Sequence, residues 1–204
     1  MRPSPTDLQD ADRFRLVGEL EISNPHPFFS AHAKGSWLVT TFFVLLAGGL
    51  GLIISLTCME ANSKPGMLGQ PAAAPAFVFV VLLPVHEGIH ALAYKALGAK
   101  DIRFSYTWSK LAVYTCAHWF VIRRKEIFPL ALAPFVVITF ALLMLAGLWP
   151  IARFFFLWSL WFHAALCGGD MILVAYAWRN RGRDLYNLDD VEEGKSYFYE
   201  RINP

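Results

Sequence analysis

Charge is scarce in this chain. Only 17% of its 204 residues are Asp, Glu, Lys or Arg, and the 18 basic and 16 acidic side chains leave a net charge of +2. So small a surplus, with the basic residues scattered instead of gathered in one stripe, excludes the electrostatic footprint of a nucleic-acid binder. Cysteine is rarer still. Cys58, Cys116 and Cys167 are too few for a disulfide framework and show no CxxC spacing of a structural zinc site. The first 35 residues lack the apolar stretch of a secretory signal, so no cleaved leader is expected and insertion would rely on the first span.

Apolar residues take up the remainder. Hydrophobic residues make up 56% and aromatic residues 15% of the chain, more than the core of a soluble domain requires. They are gathered into runs that match the roughly 20 residues a helix needs to cross a bilayer. Ser36 to Thr57 carries no charge, and its Ala47 to Gly51 stretch offers small residues for close helix packing. Ala72 to Leu97 is apolar except for His86, Glu87, His90 and Lys95; Ile127 to Leu148 is uncharged; Phe154 to Trp178 is interrupted only by His163 and Asp170. The expected fold is an all-α polytopic membrane protein with about four transmembrane helices.

Loop charges give that bundle an orientation. Arg13, Arg15 and Lys34 precede the first span, and Lys100, Arg103, Lys110, Arg123, Arg124 and Lys125 follow the second. Arg179, Arg181 and Arg183 follow the fourth, while the other loops hold only Lys64 and Arg153. By the positive-inside rule both termini and the middle loop face the cytoplasm, as in a plasma-membrane or inner-membrane protein. Three regions result: a cytoplasmic N-terminal segment, 1–35; a membrane domain, 36–178; and a cytoplasmic polar tail, 179–204. The tail's Arg179 to Arg183 stretch suits anionic lipid headgroups, and Asp189, Asp190, Glu192 and Glu193 read as a solvated acidic face.

The middle loop, residues 101–126, is not helix-like. Ile102, Phe104, Tyr106 and Trp108 alternate with Arg103, Ser105 and Thr107, and a second β-prone run begins at Leu111. A short β-hairpin turning near Ser109 and Lys110 fits; the alternative is an irregular loop with its aromatics in the headgroups. Leu16, Gly18, Leu20 and Ile22 alternate more weakly near the N-terminus.

Within the second run, His86, Glu87, Gly88, Ile89 and His90 form an HExxH motif. Residues at i and i+4 share a helix face, so two imidazoles can reach one metal ion while the glutamate meets the water bound there. Zinc held by three protein ligands keeps a position for water and lowers its pKa to about 7. Glu87 would take that water's proton as general base. The location strengthens the reading, because an ionisable group in hydrocarbon costs at least a few kcal/mol unless it is partnered. The bland alternative is a buried His and Glu hydrogen-bond network between helices.

The third ligand has few sources, since Glu87 and Asp170 are the only acids in the apolar runs. At 1.5 Å per residue, His86 and His90 lie roughly 18 and 12 Å from the end of their span, and Asp170 about 14 Å from the matching end of its own. Gly168 and Gly169 before it permit either close packing or a break that aims the carboxylate. His163 shares a face with Asp170 and is either a ligand or a hydrogen-bond partner of one. Cys167 could sit near the metal, whereas His118 lies in the loop. Pro84 removes the helix bond to the carbonyl of Val80 and can kink the span.

With HEGIHALAYKALGAK at 86–100, the aromatic β-prone loop, LALAPFVV at 130–137 and CGGDMI at 167–172, the chain resembles the putative zincin peptidase family, small membrane proteins distantly similar to site-2 proteases. The resemblance implies that His86, His90 and Asp170 bind zinc and that Glu87 is catalytic. It also implies that the 101–126 loop holds a substrate strand, as a β-rich segment is thought to do in site-2 proteases. Unlike that larger group, this chain has no NPDG or LDG pattern at its aspartate and no PDZ-like domain. The expected activity is a membrane zinc metalloprotease cleaving membrane-associated or transmembrane segments near the cytoplasmic face. The alternatives are a non-proteolytic zinc-dependent hydrolase and a catalytically silent metal-binding scaffold.

Overall fold

Segments from both ends of the chain and from its middle pair with one another at one end of a helical bundle. The computed structural model describes residues 2–62, 69–107 and 112–202. Among these, β1 (Phe14–Glu21), β6 (Lys195–Arg201), β5 (Leu185–Asp190) and β4 (Val121–Arg123) form an antiparallel sheet in that spatial order. A separate hairpin joins β2 (Ile102–Thr107) to β3 (Ala112–Ala117), with Ile102 opposite Ala117 and Phe104 opposite Thr115. The expected hairpin turn near Ser109 and Lys110, with Trp108 and Leu111 beside it and Lys64 in another loop, lies outside the described residues.

The expected fold, helices with one β-hairpin in the middle loop, is therefore corrected in part: the chain is mostly helical and carries that hairpin, but it also carries the four-stranded sheet, which an all-α fold does not have. The tail does not stand in solvent as a polar appendage. Its β6 lies between β1 and β5, and Phe198 stacks on Phe28 with ring centroids 5.3 Å apart. The acidic-face reading also fails at Asp189, which is 4% exposed. Alternation in such short polar segments becomes a strand only once partners some 180 residues away are in place.

The helices follow the apolar runs. After the short α1 (His26–Ala33), α2 (Trp37–Ala61) starts at Ser36, whose hydroxyl accepts from the Val39 amide. Next, α3 (Gly69–Phe77) passes through a π-helical turn, Val78–Leu82, into α4 (Leu83–Ala96), making one 28-residue apolar helix. The wide turn absorbs Pro84, because its loosened bonding precedes the position where the proline lacks a donor. Helix α5 (Arg124–Leu148) is the third long element. The expected fourth span is a pair, α6 (Arg153–Leu166) and α7 (Gly168–Arg179), bent by 47° at Cys167.

Among the described residues three helices are thus long and apolar enough to cross a membrane, or four if the bent pair counts as one span. Helix α2 is the most peripheral: only 11% of its most apolar stretch is buried, against 33% for α5. Val44, Leu45, Leu52 and Met59 stand outward from it, an exposed apolar surface compatible with a hydrocarbon surrounding. The small-residue stretch expected to pack closely does not do so, for a Cβ added at Gly48, Gly49 or Gly51 would meet nothing within 4 Å.

Candidate metal centre

The HExxH residues fall in the middle of α4, with His86, Glu87 and His90 all buried. Asp170 comes from the first turn of α7, just past the 47° bend. The bend and the glycines act together. A Cβ on Gly168 would come 3.3 Å from the Phe43 ring, and one on Gly169 would come 3.2 Å from the Phe29 ring. Small residues here let α7 lie close to α1 and α2 while its first turn aims a carboxylate at α4.

The structure brings His86, His90 and Asp170 together. The two Nε2 atoms are 3.1 Å apart; His86 Nε2 lies 3.3 Å from Asp170 Oδ2 and His90 Nε2 lies 3.5 Å from Asp170 Oδ1. Tetrahedral zinc with bonds near 2.0 to 2.1 Å has ligand atoms roughly 3.3 Å apart, so the spacing suits that ion.

Hydrogen-bond chemistry supplies a separate test of fit. The carbonyl of Leu130 only accepts, so the 3.0 Å contact from His90 Nδ1 fixes the proton on that nitrogen and leaves a neutral ring's Nε2 with its lone pair. His86 Nδ1 lies 3.2 Å from His163 Nε2, which can accept a hydrogen bond from it and so leave Nε2 of His86 in the same state. Two imidazole lone pairs and a carboxylate then face one another in a buried space. They repel unless a cation stands between them, and this donor set fits a zinc ion.

His163 is 0% exposed and sits in the last turn of α6, behind His86 instead of beside the carboxylate. Cys167 lies next to it, its Sγ 3.9 Å from His86 Nδ1 and 3.8 Å from His163 Nε2. His118 is elsewhere, its Nδ1 accepting from the Val191 amide at 3.2 Å. Sequence reasoning missed Thr115 on β3, whose hydroxyl lies 2.7 Å from Glu87 Oε2 and 3.0 Å from the Glu87 carbonyl. Only its place in a β-prone run could have pointed to it.

A cavity of about 560 Å³ connects these groups to the sheet. His86, Glu87, His90 and Asp170 line one end; Asn187, Asp189 and Ser196 line the other, with Leu20, Phe29, Ile127 and Leu173 among the walls. At that far end Asp189 accepts from Tyr94 Oη at 3.2 Å, from Ser196 Oγ at 2.7 Å and from the Ala117 amide at 3.4 Å. Burial holds the Asp189 carboxyl above the usual carboxylate range.

An HExxH helix, a carboxylate from a bent neighbour and a cavity beside the glutamate are the marks of a zincin-type centre set among span-length apolar helices. The model of the family described as "putative zincin peptidase" matches residues 79–184, just over half of the chain, and the chain belongs to that family. No curated protein and no solved structure matches it. The family implies zinc and metallopeptidase chemistry, and the matched segment runs from within the π turn to just past α7.

Proposed function

We propose that the protein is a membrane-embedded zinc endopeptidase that hydrolyses peptide bonds of membrane-associated or transmembrane segments near the cytoplasmic face. His86, His90 and Asp170 would hold the ion, which when bound supplies a Lewis acid for the scissile carbonyl and an acidified water. Glu87 would serve as general base, taking a proton from the attacking water and passing it to the leaving nitrogen. The observation that carries this reading is the Glu87 carboxylate, held at 2.7 Å by Thr115 and lining the same cavity as the three ligands. A hydroxyl from a neighbouring strand fixes the rotamer of a base that would otherwise swing through an open space.

Strand β3 offers the substrate a place. It pairs with β2 alone among the described residues, and Val113, Tyr114 and Thr115 line the cavity beside Glu87. An extended segment added along β3 would pass the base, with main-chain hydrogen bonds giving affinity without a fixed sequence. The sheet gathers both termini and the middle loop at one end of the bundle, and the excess of Lys and Arg in those segments supports a cytoplasmic reading of that end.

The test is Glu87→Gln, which keeps the shape and removes the base. Cleavage of a physiological substrate is expected to fall about 10²- to 10⁴-fold, with zinc content unchanged. Cleavage at the wild-type rate would remove the mechanism. The apolar cavity walls favour one second reading, a zinc hydrolase acting on lipid amides or headgroups, and a screen of lipid against peptide substrates separates the two. A scaffold without turnover predicts that Glu87→Gln leaves cellular function intact.

A further inference from the structure

The side of His86 that faces away from Asp170 is itself built from metal-binding atoms. Its Nδ1 is 3.2 Å from His163 Nε2 and 3.9 Å from Cys167 Sγ, and that sulfur is 3.8 Å from His163 Nε2. All three residues are buried and their ligating atoms lie within 4.8 Å of one another. A trigonal ion with sulfur near 2.3 Å and nitrogen near 2.0 Å needs nitrogen-to-sulfur separations of about 3.7 Å. The observed triangle has that shape.

We propose that His86, His163 and Cys167 form a second metal site for a soft, thiolate-seeking ion, with Cu(I) as its type, back to back with the zinc site through the His86 ring. The donor set decides the class of ion. One thiolate and two imidazoles prefer Cu(I), whereas the two imidazoles and carboxylate on the other face suit zinc, and no carboxylate is needed to complete the sulfur site. The fold holds the triangle in place. His163 lies in the last turn of α6, Cys167 occupies the bend, and the Cys167 amide donates to the His163 carbonyl at 3.2 Å, so the break that aims Asp170 at one face of His86 aims the thiol at the other.

Binding is a proton exchange. The ion takes the places of the proton on Cys167 Sγ and of the one His86 Nδ1 shares with His163; both are released, and no electron is transferred. With zinc also present, His86 spans the two ions through its two nitrogens. This pairing rests on the zinc reading above, but the sulfur site does not share Asp170 or His90 and is tested separately from them.

The experiment is titration of the purified full-length chain with buffered Cu(I), followed by metal analysis and X-ray absorption at the copper edge. Wild type is expected to hold one zinc and one copper, the copper with one sulfur and two nitrogen neighbours. Cys167→Ser and His163→Gln should each weaken copper binding by more than the roughly 100-fold that loss of an outer hydrogen-bond partner costs a metal site, while keeping zinc. Cys58→Ser and Cys116→Ser should leave the copper spectrum unchanged. Copper with no sulfur neighbour, or a sulfur signal that survives Cys167→Ser, overturns the proposal. Asp170→Ala separates the two sites: it should lose zinc and keep copper, so absence of zinc from wild type would sink the zinc reading and leave the copper result to judge the second site alone.

Discussion

At one end of the cavity three ligating atoms converge with no donor among them once His90 Nδ1 donates to the Leu130 carbonyl and His86 Nδ1 to His163; at the other, the oxygens of Asp189 meet Tyr94, Ser196 and the Ala117 amide. Both ends are buried, polar and built from segments distant in sequence. They differ in hydrogen-bond balance. A cluster in excess of acceptors is incomplete without a cation, whereas a carboxylate matched by neutral donors is complete as it stands and serves to tie α4, β3, β5 and β6 together. Acidic and imidazole groups in a cavity therefore do not announce a metal; the location of their protons does.

That contrast is broken most severely at the acceptor-rich end. Asp170→Ala removes the only carboxylate of the triad, and hydrolysis is expected to fall at least about 10³-fold because the metal is lost with its third ligand. Metal analysis should show zinc near zero while the chain stays folded, since the repulsion among lone pairs is relieved along with it. At the balanced end the outcome reverses. Asp189→Ala strands three buried donors and should cost about 3 kcal/mol in denaturant unfolding, with zinc retained by whatever fraction folds. Zinc loss in the second variant, or a large stability loss in the first, would erase the distinction.

A smaller effect is expected where the two ends communicate through β3. Thr115→Val keeps the strand and its volume but takes the hydroxyl from Glu87. A hydrogen bond to a charged group is worth about 1.5 to 3 kcal/mol, so kcat should drop about 10- to 100-fold with KM little changed, and Thr115→Ser should restore most of it. An equal fall in binding and turnover would instead place Thr115 among groups that hold substrate.

How far the sequence carries this picture follows the range of each interaction. His86, Glu87 and His90 are legible because one helix turn joins them. Asp170 is legible for a subtler reason: a regular rise per residue turns position along two apolar helices into relative level, and the carboxylate lies where that reckoning puts it, within 3.3 and 3.5 Å of the two imidazoles. The hairpin also follows from local alternation. Asp189 was misread because its donors lie 95, 72 and 7 residues away, and nothing in a run of acidic residues reveals them. Strand β6 escaped for the same reason, its neighbours being β1 at the far end of the chain and β5, in a tail that composition alone marks as polar. The bend at Cys167 was foreshadowed by two glycines but not fixed by them, since it depends on Phe29 and Phe43 arriving from α1 and α2.

The gentlest probe of the comparison is pH, applied to the balanced end. Burial raises the folded-state pKa of Asp189 above its unfolded value, so the folded chain binds more protons than the unfolded one across the interval between the two. Stability contributed by this group is then greatest below the unfolded pKa, near 3.8, and declines as pH rises through the folded one. Asp189→Asn cannot titrate, and its stability lacks this component. Subtracting the variant's unfolding free energy from that of the wild type, pH by pH, should give a difference that favours the wild type most in acid and shrinks toward neutrality. A difference that grows with pH would mean that the donors around Asp189 stabilise the anion more than burial disfavours it, and the far end of the cavity would then be a fixed negative charge able to attract a cationic group of the substrate.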